Sequence, residues 1–97
     1  MAFLIGSDVI HETAKAQQLP SASVGGNGLW LHAPTDNKWP VYIANSEGAV
    51  YGDKVIETNR GRVTLKPGER TDILYPSNLN EIWVMGRKDD VISWVIS

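Results

Sequence analysis

From Leu29 onward, apolar and polar positions alternate in short bursts, and a turn signal ends each burst. The segments LWLHA (29–33), PVYIAN (40–45), RVTL (62–65), TDILY (71–75), EIWVM (81–85) and VISWVI (91–96) are rich in β-branched and aromatic residues. PTDN, SEG, NRG, KPGE, PSN and RKDD fall between them. A period of two with breaks every 8–12 residues or so is the pattern of an all-β sandwich or barrel. The spacing therefore predicts a small antiparallel β-sandwich, jelly-roll-like, over residues 29–97. In KPGE, proline presets φ and glycine accepts a positive φ at the next position, which makes this the strongest turn in the chain. Pro40 cannot donate to a ladder, so the strand that follows starts there or runs along an edge. Two further extended stretches are predicted, at residues 49–51 after the SEG turn and at 55–58.

Residues 1–28 read differently. An apolar start (Phe3, Leu4, Ile5) leads to a stretch with helical propensity at 11–19 that Pro20 stops, and then to PSASVGGNG. A helix that short is marginal in water, and the glycine cluster is a hinge by composition. The region is expected to be an extended N-terminal arm reaching beyond the body; its alternative is an ordinary first strand of the same sheet.

The last two segments are apolar on both faces. Ile82 and Val84 alternate with Trp83 and Met85, and Ile92, Trp94 and Ile96 alternate with Val91, Ser93 and Val95. Read as a closing hairpin through Gly86 to Asp90, this pair needs cover on its second face, because a solvated antiparallel sheet alternates apolar with polar. The cover comes either from the same chain or from a neighbouring subunit. Ile73, Val84, Trp83, Trp94, Val95, Leu65, Val41 and Ile43 are the predicted core.

Composition narrows the function. The chain has 97 residues and no cysteine, so it forms one domain without a disulfide, and a body of about seventy residues draws support from oligomerisation. A net charge of −2, with nine Lys and Arg spread along the chain, lacks the concentrated basic footprint of a nucleic-acid binder. The Arg60-Gly61-Arg62 group reads as a solvated turn. No apolar run approaches the roughly twenty residues of a spanning helix, so no membrane partner is expected.

Catalytic candidates are absent. None of the serines sits in a G-x-S-x-G elbow, and His11-Glu12 is not followed by the second histidine of H-E-x-x-H. His32 stands alone. Asp89-Asp90 and the Glu69, Arg70, Asp72 group lack the spaced oxygens of a calcium loop. No catalytic, cofactor-binding or metal-binding residue is assigned, and the chain is expected not to be an enzyme. The four tryptophans, Trp30, Trp39, Trp83 and Trp94, have two readings: core and interface anchors, or a sheet face that stacks on sugar rings.

PVYIANSEG, RGRVTLKPGE, SNLNEIWVMG and the closing DVISWVIS resemble, in pattern and layout, small virion proteins of tailed bacteriophages, in which an N-terminal arm precedes a compact β body that decorates the head or lines the neck. The resemblance implies a structural protein of the virion, made in the host cytoplasm, that binds the major capsid protein or other virion proteins and copies of itself, with a trimer favoured. Its interaction residues are expected to be Phe3, Leu4, Ile5, Trp30, Trp39 and Trp83. The alternative is a carbohydrate- or receptor-binding β-sandwich module associated with a fibre or tail.

Overall fold

The structure, a computed structural model, describes residues 4–51 and 63–96. Its strands are β1 (Leu4–Val9), β2 (Gln17–Gln18), β3 (Leu29–His32), β4 (Val41–Ala44), β5 (Val63–Leu65), β6 (Trp83–Met85) and β7 (Val91–Ile96); a short helix α1 spans Glu47–Tyr51 and a 3₁₀ turn spans Leu79–Glu81. They form two antiparallel sheets, ordered β1-β7-β3 and β2-β6-β4-β5. The fold is all-β, as the alternation predicts.

One apolar cluster joins the two sheets. β3 contributes Leu29 and Leu31 and β7 contributes Ile92, Trp94 and Ile96; Val41, Ile43, Leu65 and Val84 come from the other sheet. Each set lies at alternate positions of its strand, which is how the pleat assigns one face to the interior. Five of the eight predicted core residues (Val41, Ile43, Leu65, Val84 and Trp94) are buried in this cluster. Trp83 and Val95 are half-buried on the outward faces of β6 and β7, and Ile73 is exposed. These two central strands are apolar on both faces, so hydrophobicity alone does not say which face turns inward.

The expected boundary at residue 28 does not divide the described residues. Leu4–Val9 pairs with β7 over its full six residues, Gln17–Gln18 pairs with β6, and Ile10 and Leu19 are buried in the shared cluster. Residues 4–28 are part of the same fold, not an arm that leaves it. The reason lies in β7, a strand with two hydrogen-bonding edges: β3 satisfies one, and β1 satisfies the other. Trp94 adds a steric fit. A Cβ on Gly6 would come within 2.7 Å of its indole atoms, so the ring lies directly on the Gly6 backbone.

Residues 11–19 form no helix. Ala14 takes a positive φ of 60° in a turn, and the chain then runs into β2. The helix forms instead at 47–51, where a turn and strand are expected. Ser46 Oγ accepts the Ala49 N–H at 3.2 Å, a local cap that competes well with extension. Val50 is fully buried there. The expected strand at 55–58 and the Arg60-Gly61-Arg62 turn lie outside the described residues.

The predicted closing hairpin is also absent: β6 and β7 belong to different sheets. The chain crosses between them at a polar corner. Asp90, buried, accepts the N–H groups of Lys38 (3.0 and 3.1 Å) and Trp39 (2.9 Å), while its own carbonyl accepts from Ile10 at 2.8 Å. Asn37 completes the corner. Its Oδ1 accepts the Val91 N–H at 2.9 Å and its Nδ2 donates to the Val91 carbonyl at 2.8 Å. The β3–β7 register Trp30↔Val95, His32↔Ser93 would next place Pro34 opposite Val91. Proline has no N–H to offer and its carbonyl already accepts the Asn37 N–H at 3.1 Å, so the Asn37 carboxamide supplies both partners to Val91.

β3 is supported on its other side by residues 68–74. Leu29 and Leu74 exchange backbone hydrogen bonds at 2.9 and 2.7 Å, and Ala33 N–H reaches the Glu69 carbonyl at 2.9 Å. Between them the Leu31 N–H is accepted by Thr71 Oγ1 at 3.0 Å. A side-chain oxygen thus stands in where the ladder slips by one residue, and the expected strand at 71–75 is reduced to the isolated bridge Leu29↔Leu74, with a second, His32↔Arg70, just before it.

Candidate functional site

The outward face of the β1-β7-β3 sheet carries the largest share of the expected interaction residues. Cross-strand partners on one face of a sheet lie side by side, and the registers give three rows. Ile5, Val95 and Trp30 form the first; Ser7, Ser93 and His32 the second; Val9 and Val91 the third. The Leu29↔Leu74 bridge sets Ile73, 42% exposed, beside Trp30 in the first row. The result is an apolar row of Ile5, Val95, Trp30 and Ile73 bordered by hydroxyls.

Trp30 is half-buried within this row, and the Arg70 guanidinium sits 4.9 Å from its ring centroid. A cation at that distance is attracted by the ring quadrupole. It occupies one face of the indole. The His32 side chain is half-buried in the second row, where the Ser93 hydroxyl donates to the His32 carbonyl at 3.2 Å.

The six expected interaction residues do not converge. Ile5 (69% exposed) and Trp30 share the apolar row. Leu4 (60% exposed) is on the same strand but the opposite face, opposite Ile96. Trp83 lies on the outward face of the other sheet, opposite Ala44 and Gln18. Trp39, 44% exposed, sits beside the Asp90 corner. Phe3 lies outside the described residues. The row instead recruits Val95, Ile73 and Arg70. The alternation of VISWVI already separates Val95 from Trp94; the sequence carries no signal for which of them faces out, nor for Arg70 reaching Trp30.

No family model matches the chain, and comparison with curated proteins and with solved structures finds no match. The functional reading therefore rests on the chain itself.

Two concavities lie among the described residues. A cleft of about 440 Å³ opens beside β5, floored by Ile43, Leu65 and Leu74 and rimmed by Glu69, Arg70 and Asp72. Two of its three charged groups are engaged: Glu69 accepts the Lys66 N–H at 2.7 Å, and Arg70 lies over Trp30. A smaller one, about 140 Å³, is bounded by His11, Glu12, Lys15 and Gln17. There the Lys15 ammonium is 3.4 Å from Glu12 on an exposed surface. Among the described residues no group of three or more His, Cys, Asp or Glu is placed to hold a metal ion, and no helix is long and apolar enough to cross a membrane.

Proposed function

We propose that this chain is a structural virion protein of a tailed bacteriophage, one that decorates or stabilises the head or the head–tail region by binding capsid subunits and copies of itself, with no catalytic role. The observation that carries the reading is the outward apolar row of Ile5, Val95, Trp30 and Ile73 on a rigid sheet. Aromatic and aliphatic anchors of this kind, bordered by polar groups and an arginine, match the composition of the buried centres of protein interfaces. In this reading the protein is made in the host cytoplasm and ends in the particle.

Mass spectrometry of purified particles of a phage encoding this sequence tests it. The chain is expected as a stoichiometric component, lost when Trp30→Glu disrupts the row while the protein still folds. Absence of the wild-type chain from the particle overturns the proposal. The second reading, a carbohydrate- or receptor-binding module, is favoured by one observation, the partly exposed indole of Trp39. A glycan screen whose binding is abolished by Trp39→Ala would put that reading first.

A further inference from the structure

β1 forms one side of its sheet, and the direction of its hydrogen bonds decides which backbone groups are left over. The Ile10 N–H donates to the Asp90 carbonyl at 2.8 Å, and the Ile10 carbonyl accepts from Asp89 at 2.9 Å. This end of the β1–β7 ladder is therefore a hydrogen-bonded position, and such positions alternate along an antiparallel pair. Asp8↔Ile92, Gly6↔Trp94 and Leu4↔Ile96 carry the remaining bonds. The N–H and C=O groups of Ile5, Ser7 and Val9 point away from β7.

Val9 is not open. Its N–H is held by Asp8 Oδ1 at 2.9 Å, and its carbonyl accepts from Gln17 Nε2 at 2.9 Å. These two side chains close that end of the edge, a common way of limiting strand addition. Among the described residues, what remains is a short open stretch at Ile5 and Ser7, beside the two most exposed aliphatic side chains of the strand, Leu4 and Ile5.

We propose that a second copy of this chain pairs with this edge antiparallel, with Ile5 opposite the partner's Ile5, so that a twofold axis joins two three-stranded sheets into one of six strands. The side chains select this register. On the outward face the row Trp30, Val95, Ile5 meets the partner's Ile5 and continues through the same row in reverse, without a polar interruption. On the inward face Leu4 comes opposite the partner's Gly6, where the Trp94 indole takes the place of the missing side chain and gives Leu4 an apolar neighbour. A shift that set Ile5 against the partner's Ser7 would instead place Leu4 against an Asp8 carboxylate. A second copy also suits the edge better than a long foreign strand, which would run into the occupied Val9. A twofold contact is isologous and closes on itself, so the unit is a dimer and not the trimer implied by the resemblance.

The contact is short and falls below the roughly 1,200 Å² that marks stable interfaces, so the dimer is concentration-dependent. The inference deepens the self-association part of the proposed function and rests on that reading only there. Sedimentation velocity of the full chain, taken up to high micromolar concentration, tests it together with single-cysteine variants in this cysteine-free sequence. The wild type is expected to shift to twice the monomer mass as concentration rises. Ile5→Lys, at an exposed position, is expected to remain monomeric with an unchanged circular dichroism spectrum.

Under mild oxidation Ile5→Cys is expected to form a covalent dimer, because directly opposed Cα atoms lie about 5.5 Å apart, within disulfide reach. Ser7→Cys is expected to cross-link at least tenfold more slowly, since this register separates the two thiols by about 14 Å along the strands. A wild type monomeric at every concentration, an Ile5→Lys variant that still dimerises, or equal cross-linking at the two positions overturns the pairing. A chain that dimerises through Ile5 yet is absent from particles leaves the pairing intact and removes the virion reading; a monomeric chain found in particles does the reverse.

Discussion

Replacing Asn37 by alanine tests whether the polar corner, more than the adjacent hydrophobic strands, sends β7 into its own sheet. Asn37 is buried, and its carboxamide makes two hydrogen bonds to the Val91 backbone, at 2.8 and 2.9 Å. Alanine removes both partners and leaves a backbone N–H and C=O facing the prolyl residue 34, which cannot donate. An orphaned buried polar group costs about 1–3 kcal/mol. The half-buried setting of Val91 favours the lower part of that range for each group, so the loss is expected at about 2–4 kcal/mol. Against a total of about 5–15 kcal/mol for a domain of this size, that is a substantial fraction. Urea denaturation followed by tryptophan fluorescence measures it. With a slope of about 1–1.5 kcal/mol per molar, the midpoint is expected to fall by about 2 M at unchanged slope. Asn37→Asp separates the two bonds, because a carboxylate still accepts from Val91 N–H but cannot donate to its carbonyl; its midpoint is expected to fall as well. A change below about 0.5 M for Asn37→Ala would refute the reasoning and show that the corner is hydrated or dispensable.

Other perturbations follow from the same packing. Deleting residues 1–9 removes the six-residue β1 and uncovers Trp94, so the remainder is expected to lose its cooperative thermal transition in calorimetry; a truncated chain with the wild-type midpoint would restore the independent arm. Gly6→Ala forces a Cβ to 2.7 Å from the Trp94 ring, and the overpacking is expected to cost about 1–3 kcal/mol in urea melts. Trp94→Ala, which empties a buried indole site, is expected to cost about 3–5 kcal/mol. Arg70→Ala is expected to change stability by no more than about 1 kcal/mol while increasing acrylamide quenching of Trp30, because the guanidinium covers its ring; unchanged quenching would contradict that placement.

The sequence by itself determined the class of the fold and much of its interior. Period-two alternation in LWLH, VYIA and VISWVI puts Leu29 with Leu31, Val41 with Ile43, and Ile92 with Trp94 and Ile96 on one face of each strand, and that grouping depends only on the pleat. It also marked β6 and β7 as strands with two apolar faces, which is what central strands need. Local signals could not settle partners. The Gly86 to Asp90 segment looks like a hairpin turn. In the fold the Asp90 carboxylate instead holds the backbone at residues 38 and 39, and the Asn37 carboxamide replaces what Pro34 cannot give. Both contacts span more than fifty residues, so no local pattern announces them. Residues 1–28 read as an arm for the same reason. Their composition is flexible and polar, and only the open edge of β7, together with the indole lying on Gly6, draws Leu4–Val9 into the sheet. Which of Trp94 and Val95 faces outward, and hence which residues form the exposed row, is likewise decided by how the two sheets close on one core: a strand that is apolar on both sides acquires an inside only when a second sheet covers it.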